Sequence, residues 1–359
     1  MGKYKICVYA IAKNEEKFAK RWFDSAKDAD EIVVLDTGST DRTVEIMKGL
    51  GIKVEQKLFE KFRFDEARNE SLKLIPSDTD ICICLDIDEI LCDGWRKLLE
   101  KQWSDDVSRA RYKYVWNYTQ NGSEGYVFYA DKIHSPKNFK WKNAVHEVLD
   151  HTGEFCKTIT LEGFEIYHRA DQQKSREQYL NLLELAVKED PQNDRNMHYL
   201  GREYMFKKRY SDAIYTLKKH LDMPTALWKD ERSASMIYIA KCYMNMNQPA
   251  IAKTWLYKAI AEAPHLREPL YETAAFLYLS GNWQGVIYFA NEALKIKTRT
   301  DSYITSPAAW GDYLYDILSV AYFHTGDHIL ARESALKAYE ISKSKRIKEN
   351  ISLFDKMIK

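Results

Sequence analysis

The chain has 359 residues, of which 45% are hydrophobic and 30% are charged, a composition typical of a soluble globular protein large enough for two domains. Its 54 Lys and Arg residues nearly balance its 53 Asp and Glu residues, so the net charge of +1 gives no reason to expect nucleic acid as a partner. The sequence shows no run long enough for a transmembrane segment and no signal peptide, which predicts a cytoplasmic location.

The six cysteines show neither a CxxC pair nor the spacing of a zinc site. Cys7, Cys82 and Cys84 lie in apolar runs, where a free thiol behaves as a small hydrophobic side chain. We therefore expect reduced thiols that pack in the core, as in cytosolic proteins.

The first half of the chain alternates between strand-like and helical runs. In chain order the sequence predicts a strand at 5–11, a helix at 14–28, a strand at 31–37, a helix at 40–51, a strand at 52–58, a helix at 64–74 and a strand at 80–88. This order predicts a parallel sheet covered by helices. Aromatic and β-branched runs between 109 and 168 predict antiparallel strands that complete the domain.

From about residue 172 the pattern becomes helical, and small residues recur in four similar registers. The interval from Ala240 to Ala274 is 34 residues, the period of the tetratricopeptide repeat, in which two antiparallel helices cross closely at small side chains. We expect a further helix at 176–191 and a capping helix at the lysine-rich end. The predicted domains are therefore 1–172 and 173–359.

Two other intervals between these registers exceed the repeat period. Gly201 and Ala240 are 39 residues apart, and Ala274 and Ser319 are 45 apart. The excess predicts insertions near 222–230 and 297–309, both at turns between repeats.

Polar residues follow the first two predicted strands, at the edge where open α/β sheets bind ligands. The first junction, AIAKNEE, contains Ala12, Asn14 and Glu16, and its backbone groups can contact a planar base. The second, VVLDTGSTDRT, ends its strand at Asp36, which can accept a hydrogen bond from a base or a ribose hydroxyl. For Asp41 we favour a role in the turn and the first helical turn.

The fourth predicted strand, in ICICLDIDE, ends in carboxylates. On a regular strand Asp86 and Asp88 share a face with the two cysteines, and unpaired burial there would cost several kcal/mol. The strand is therefore expected to emerge from the core and to offer both carboxylates to one Mg²⁺ or Mn²⁺ ion. Glu89 has the opposite parity and is expected only to influence the following turn.

The ordered set AKNEE, LDTGSTDRT, FDEARNESL and LDIDE resembles family 2 glycosyltransferases of the GT-A fold. The resemblance covers residues 4–95 and extends more loosely through WKNAVHEVL and FEIYH. A family 2 domain followed by tetratricopeptide repeats is also similar to bacterial glycosyltransferases that modify peptides or proteins. The implied fold class is an α/β GT-A nucleotide-sugar domain followed by an all-α repeat domain.

The resemblance also implies roles for individual residues on the donor side. Asp36 matches the position that contacts the uracil or ribose of a UDP-sugar, and Arg68 matches the basic position near the base and the diphosphate. Asp86 and Asp88 match the D-x-D motif, with Asp88 the more direct metal ligand. His168 matches a late histidine on the metal or the diphosphate. A solvated surface arginine remains the alternative for Arg68, and a structural histidine remains the alternative for His168.

On the acceptor side, the usual acidic pair of the family is not evident in this chain. Glu147 in AVHEVL occupies the corresponding part of the sequence and is the candidate base, with His146 as the alternative. The implied reaction is an inverting transfer in which the acceptor attacks the anomeric carbon and a nucleoside diphosphate leaves.

Three hypotheses follow from the sequence. The first is transfer of a hexose or an N-acetylhexosamine to a peptide or protein, because solenoid surfaces commonly bind extended peptides. The second is transfer to a cell-surface glycan or glycolipid, with the repeats forming a homodimer. The third is a non-catalytic scaffold, which the intact LDIDE motif disfavours.

Overall fold

The computed structural model describes residues 2–118, 122–169 and 177–358. The chain divides into two compact units, Met1–Ala186 and Val187–Lys359. The domain boundary predicted after residue 172 lies outside the described residues. None of the described helices combines the length and the apolar character that a membrane span needs.

The N-terminal unit is built on a mixed sheet. Its strands are β1 (Ile6–Ala12), β2 (Glu31–Asp36), β3 (Lys53–Gln56), β4 (Ile81–Cys84), β5 (Glu89–Leu91), β6 (Arg109–Val115), β7 (Val127–His134), β8 (Phe139–Lys142), β9 (Val148–His151) and β10 (Thr158–His168). Its helices include α1 (Ala19–Ala26), α2 (Thr43–Gly49), α3 (Phe64–Leu72) and α4 (Trp95–Gln102). The order in the main sheet is β3-β2-β1-β4-β7-β6-β10-β5, and β8 pairs with β9 separately. Strands β1 to β4 are parallel, so the carboxyl ends of β1, β2 and β4 meet at one edge.

Both faces of the central strands are buried, which explains their continuous apolar sequences. Val8 and Ile83 belong to the hydrophobic cluster on one face, and Tyr9, Cys82 and Cys84 belong to the cluster on the other. The two cysteines are free thiols with no exposed surface, so their predicted packing role is confirmed.

The fourth predicted strand is shorter than expected. Strand β4 ends at Cys84, and the chain turns before β5 begins at Glu89, with the amide of Glu89 donating to the carbonyl of Asp86 at 2.8 Å. The prediction that Asp86 and Asp88 continue one face of the strand is therefore wrong. The turn removes the two-residue alternation on which that prediction depended.

Two helices begin later than predicted, and a third was not predicted. Helix α1 begins at Ala19, and Asn14, where the helix was predicted to begin, adopts a left-handed conformation (φ 55°) that a helix cannot contain. Helix α2 begins at Thr43 rather than at residue 40, and Gly51, with φ of 82°, lies just past its end. Helix α4 follows β5.

The second unit consists of helices. They are α6 (Asp194–Phe206), α7 (Tyr210–Asp222), α8 (Lys229–Asn245), α9 (Pro249–Glu262), α10 (Arg267–Leu279), α11 (Trp283–Lys295), α12 (Tyr313–His324), α13 (His328–Ser342) and α14 (Lys345–Ile358). Helix α5 (Glu177–Glu189), which includes the boundary between the units, and α14 correspond to the predicted junction and capping helices. A short 3₁₀ helix spans Pro307–Trp310.

Small residues mark the helix crossings within the repeats. A Cβ atom added to Gly201 would lie 2.5 Å from Cγ of Leu217, so the contact between α6 and α7 requires glycine. Ala240 and Ala274, at the corresponding position in later repeats, have no exposed surface. The predicted class, an α/β unit followed by an all-α repeat unit, is confirmed.

A buried histidine links two parts of the first unit. Nδ1 of His134 lies 2.7 Å from the carbonyl of Ser135, and Nε2 lies 2.9 Å from the hydroxyl of Tyr9, which accepts from Trp141 at 3.2 Å. These contacts suit a neutral ring that donates at Nδ1 and accepts at Nε2. Burial lowers the pKa of His134 to about 4.

Stability should therefore fall as the pH drops from about 6.5 to about 4, because the unfolded chain binds a proton that the folded chain excludes. The expected loss is about 3 kcal/mol across that window. His134→Gln should flatten this dependence, although it lowers stability at pH 7. Urea unfolding of the first unit between pH 4.5 and pH 7.5 measures the effect. An unchanged pH slope in His134→Gln would contradict it, and His265→Gln, at an exposed site in the other unit, is the control.

Candidate active site

Asp36 closes the turn after β2. Its carboxylate, which has no exposed surface, accepts from the amides of Gly38 at 3.2 Å and Ser39 at 3.1 Å, and from the side chain of Gln56 at 3.3 Å. Gly38 has φ of 105°, and a Cβ there would lie 2.6 Å from Leu58, so the turn requires glycine. The structure thus gives Asp36 a turn-forming role, and its predicted contact with a base or a ribose stays a prediction.

The loop after β1 is hydrogen-bonded to the loop after β2 by side chains that were predicted to belong to the donor site. Ala12 pairs with Asp36 in the sheet register. Oδ1 of Asn14 accepts from the amide of Thr40 at 2.8 Å, and Oε2 of Glu16 accepts from the amide of Arg42 at 3.1 Å. The structure therefore brings Ala12, Asn14 and Glu16 together with Asp36 at one edge of the sheet.

Asp41 also belongs to this turn. Burial acts to raise the pKa of Asp41, but hydrogen bonds from the hydroxyl and the amide of Thr43 and from the amide of Glu16 outweigh it and lower the pKa. This arrangement agrees with the structural role expected for Asp41.

Arg68, on α3, lies inside the site rather than on its surface. Its side chain is 5% exposed; Nη2 lies 2.8 Å from Oδ1 of Asp86, and Nε lies 2.5 Å from Oε1 of Glu147. Nη1 donates to Sγ of Cys84 at 3.0 Å, and the guanidinium lies over the ring of Trp141. Burial opposes the charge, but the neighbouring carboxylates raise the pKa of Arg68 well above its usual value. The alternative of a solvated arginine is therefore wrong.

A second buried cation, Lys132, binds the other carboxylate oxygen of Asp86. Nζ of Lys132, on β7, lies 2.9 Å from Oδ2 of Asp86 and 2.9 Å from Oε1 of Glu89. Although burial acts to raise the pKa of Asp86, Arg68 and Lys132 hold it far below its usual range. Asp86 is therefore ionised and bound by two cations.

Glu89 also belongs to the site, although its position in the strand alternation placed it on the face opposite to Asp86 and Asp88. It is 1% exposed, accepts from the hydroxyl of Tyr114 at 2.7 Å, and accepts from the amide of Asp86 at 2.8 Å. Burial, reinforced by the charge of Asp86, raises the pKa of Glu89. The expectation that Glu89 only influences the turn is wrong, because its side chain points into the site.

Asp88 and His168 lie together, as the resemblance implied. Oδ2 of Asp88 lies 3.2 Å from Nε2 of His168, while Nδ1 of His168 lies 2.9 Å from the carbonyl of Trp116. The ring of Trp116, which is 39% exposed, stacks on His168 with centroids 4.2 Å apart. Burial acts to lower the pKa of His168, but the carboxylate of Asp88 outweighs it and raises the pKa.

The two candidate bases lie in the loop between β8 and β9. Glu147 forms the ion pair with Arg68 described above, which joins it to Asp86 through one guanidinium. His146 adopts a left-handed conformation (φ 51°), and its Nε2 contacts the hydroxyl of Tyr179. The structure thus brings Glu147 to the D-x-D segment and directs His146 toward α5.

Lys132, Tyr114 and Trp116 were not identified from the sequence. Each lies on β6, on β7 or just after β6, in aromatic runs that resemble ordinary core strands. The lysine in the strand-like run VFYADKIH was the available signal, because a lysine buried in such a strand requires carboxylate partners.

The fold and the site together define an open α/β sheet with clustered carboxylates at the carboxyl edge of its parallel strands, the architecture of nucleotide-binding enzymes. Residues 7–152 match the sequence model of the family described as glycosyl transferase family 2. The N-terminal unit therefore contains a family 2 glycosyltransferase domain.

Other similarities concern proteins with helical repeats. A TPR repeat-containing protein from Synechococcus elongatus is 26% identical over 151 residues, which are 42% of this chain and 36% of that protein. The chain thus spans about a third of the length of this curated relative. The MamA crystal structure is 20% identical, with a TM-score of 0.37, and covers 45% of this chain and 85% of its own. The YrrB structure, described as a TPR protein with an unusual peptide-binding site, is 16% identical, with a TM-score of 0.36, and covers 48% of this chain and 80% of its own.

Replacing Arg68 by Met should destabilise the protein by about 3–5 kcal/mol, because Asp86 and Glu147 would lose their shared buried cation. Urea unfolding of the full chain measures this change. Arg42→Met is the matched control, since its ion pair with Glu45 is exposed and should contribute little. Equal stability of the two variants would show that Arg68 does not hold the site together.

Proposed function

We propose that this protein is a metal-dependent inverting glycosyltransferase that moves a hexose or an N-acetylhexosamine from a UDP-sugar to a peptide or protein. The observation that carries the proposal is the Asp88–His168 pair beside the Arg68–Asp86–Lys132 network, at the ligand-binding edge of the sheet. The match of residues 7–152 to family 2 glycosyltransferases supports the reaction class.

In this proposal the donor lies across the carboxyl ends of β1, β2 and β4. Ala12, Asn14, Glu16 and Asp36 form the part of the edge that receives the uridine, where the two tied loops provide a rigid wall. Arg68 contributes through its ion pair with Asp86, which fixes that carboxylate. Its positive charge also attracts the diphosphate.

The side chains present suit a divalent cation. A carboxylate oxygen of Asp88 and Nε2 of His168, 3.2 Å apart, are donors that Mn²⁺ or Mg²⁺ accepts, with Asp86 two residues away. When bound, such an ion would neutralise charge on the leaving diphosphate as a Lewis acid. We therefore assign Asp88 and His168 as direct ligands; Asp86, whose two oxygens are bound by Arg68 and Lys132, is the adjacent carboxylate that adds negative charge beside them.

The transfer itself forms one bond and breaks one. The acceptor oxygen or sulfur bonds to the anomeric carbon as the bond from that carbon to the diphosphate oxygen breaks, and UDP leaves with the electron pair. Glu147 takes the acceptor proton, and His146 is the alternative base. Arg68 orients Glu147 for this role through the 2.5 Å ion pair.

One feature of the repeat unit favours a peptide acceptor over a glycan. The repeat unit stacks helix pairs, an arrangement whose surfaces commonly bind extended chains. Of the tryptophans in this unit, Trp228 is 38% exposed, whereas Trp310 donates to Glu268 and Trp283 stacks on His324, so the latter two contribute to packing within the unit. Transfer to a surface glycan or glycolipid and a non-catalytic scaffold remain the alternatives; the cytoplasmic location and a homodimer through the repeats stay predictions.

Isothermal titration with UDP, with and without Mn²⁺, tests the donor and metal assignments together. We expect Mn²⁺ to strengthen UDP binding, and Asp88→Asn to weaken the metal-dependent binding about tenfold or more and to abolish donor turnover. Asp93→Asn, at an exposed carboxylate on the same segment, should behave as the wild type. Absence of metal-dependent binding in the wild type would favour the scaffold, while normal turnover by Asp88→Asn would move the metal site elsewhere.

Mass spectrometry separates the acceptor classes. Incubation with UDP-hexose or UDP-N-acetylhexosamine and peptides containing Cys, Ser and Thr should increase the mass of a peptide by one sugar residue. Glu147→Gln should reduce that labelling while UDP binding is retained, because the acceptor proton loses its base whereas Asp86 keeps its ion pairs with Arg68 and Lys132. Labelling of a lipid-linked or polymeric glycan with no labelled peptide would contradict the peptide proposal and support the second hypothesis.

A further inference from the structure

Three side chains that the proposed transfer does not use meet at one end of the repeat unit. Asp194 begins α6, His220 lies in the last turn of α7, and Glu231 lies in the first turn of α8. Each of these three side chains offers a possible ligand atom, and the three atoms lie within 4.8 Å of one another. In the described part of the chain, no other group of at least three His, Cys, Asp or Glu residues meets this condition. The cluster therefore gathers donor atoms from three helices.

His220 supplies the second observation. The ring has no exposed surface, and Nε2 lies 3.3 Å from Oε1 of Glu231. Among the described residues this nitrogen nevertheless has no hydrogen-bond partner. A buried ring nitrogen aimed into a pair of carboxylates without a hydrogen bond requires an explanation.

The outward sides of the cluster are held in place. Nδ1 of His220 lies 3.0 Å from the hydroxyl of Ser235, which also lies 2.7 Å from Nδ1 of His198. Donation from Nδ1 to Ser235 leaves the lone pair on Nε2, directed into the cluster. The hydroxyl of Tyr303 donates to the other oxygen of Glu231. Metal-binding imidazoles and carboxylates are oriented by such outer hydrogen bonds.

We propose that Asp194, His220 and Glu231 bind a divalent transition-metal ion of the Zn²⁺ type. Tetrahedral Zn²⁺ with bonds of about 2.0–2.1 Å separates its ligand atoms by about 3.3–3.4 Å, which agrees with the 3.3 Å between His220 and Glu231. Two carboxylates also balance the charge of the ion, and the nitrogen and oxygen donors suit zinc. A fourth position remains for water.

The ion would act as a clamp between neighbouring repeats. Asp194 and His220 belong to one helix pair, whereas Glu231 opens the next, so one ion would join two repeats. The segment between α7 and α8 coincides with the insertion predicted near 222–230. Tyr303, in the other predicted insertion, 297–309, bonds to Glu231 and so joins that insertion to the cluster. The ion should therefore stabilise the repeat unit.

The test uses the full chain carrying Asp88→Asn, which takes away one of the two direct ligands of the proposed ion site in the glycosyltransferase domain and leaves this cluster intact. After treatment with a chelator and dialysis, titration with ZnCl₂ should show one ion per chain and an upward shift of the thermal unfolding midpoint. Co²⁺ should give the visible absorption of a tetrahedral site. No zinc uptake and no Co²⁺ spectrum in this chain would overturn the proposal, leaving a buried His220–Glu231 ion pair.

Substitutions then locate the ion. His220→Gln added to Asp88→Asn should weaken zinc binding at least about 100-fold and abolish the midpoint shift. His265→Gln is the matched control, because His265 also pairs with an aspartate, Asp230 at 2.8 Å, but is exposed and outside the cluster. Glu231→Gln, which keeps the side-chain volume, tests the same prediction if His220→Gln lacks the native circular dichroism spectrum. Equal zinc binding in the parent chain and a folded variant would overturn the assignment.

Discussion

The site in the first unit depends on the buried charge of Arg68. A guanidinium with almost no access to water must have carboxylate partners, because an unpaired buried charge costs several kcal/mol. Asp86 and Glu147 meet that requirement from segments far apart in the sequence. One cation therefore fixes the end of β4 and the loop between β8 and β9 against α3, and it brings the proposed donor and acceptor sides together.

This constraint gives the two aspartates of the D-x-D segment different roles. Arg68 and Lys132 bind both oxygens of Asp86, which reduces its capacity to attract a further cation. Asp88 has one imidazole partner, His168, which can change between a hydrogen bond and a metal bond. The segment thus combines a carboxylate held by two buried cations with one held by a single imidazole, a difference that two identical residue types cannot reveal in the sequence.

The sequence correctly predicted the features that depend on residues close together in the chain. Alternating strands and helices, the edge that collects Asn14 and Asp36, and the glycine or alanine at helix crossings all follow from short periods or from single turns. The inward direction of Glu89 depends instead on Lys132, which lies 43 residues further along the chain. The alternation of side chains along one strand gives no information about a partner on another strand. Glu89 was therefore expected to be peripheral, although it is the most buried of the three carboxylates.

The repeat unit departs from a regular solenoid for a related reason. In a stack of helix pairs each repeat contacts its neighbours, and stability is nearly a sum of such contacts. The segment 297–309 reaches further, since Tyr303 bonds to Glu231 on α8 and its ring also contacts Tyr199 on α6. The residues that lengthen the repeat period thus link non-adjacent helix pairs at the Asp194–His220–Glu231 cluster. A cation there would act where that long-range link is made, and it would couple the first repeats to a segment that follows α11.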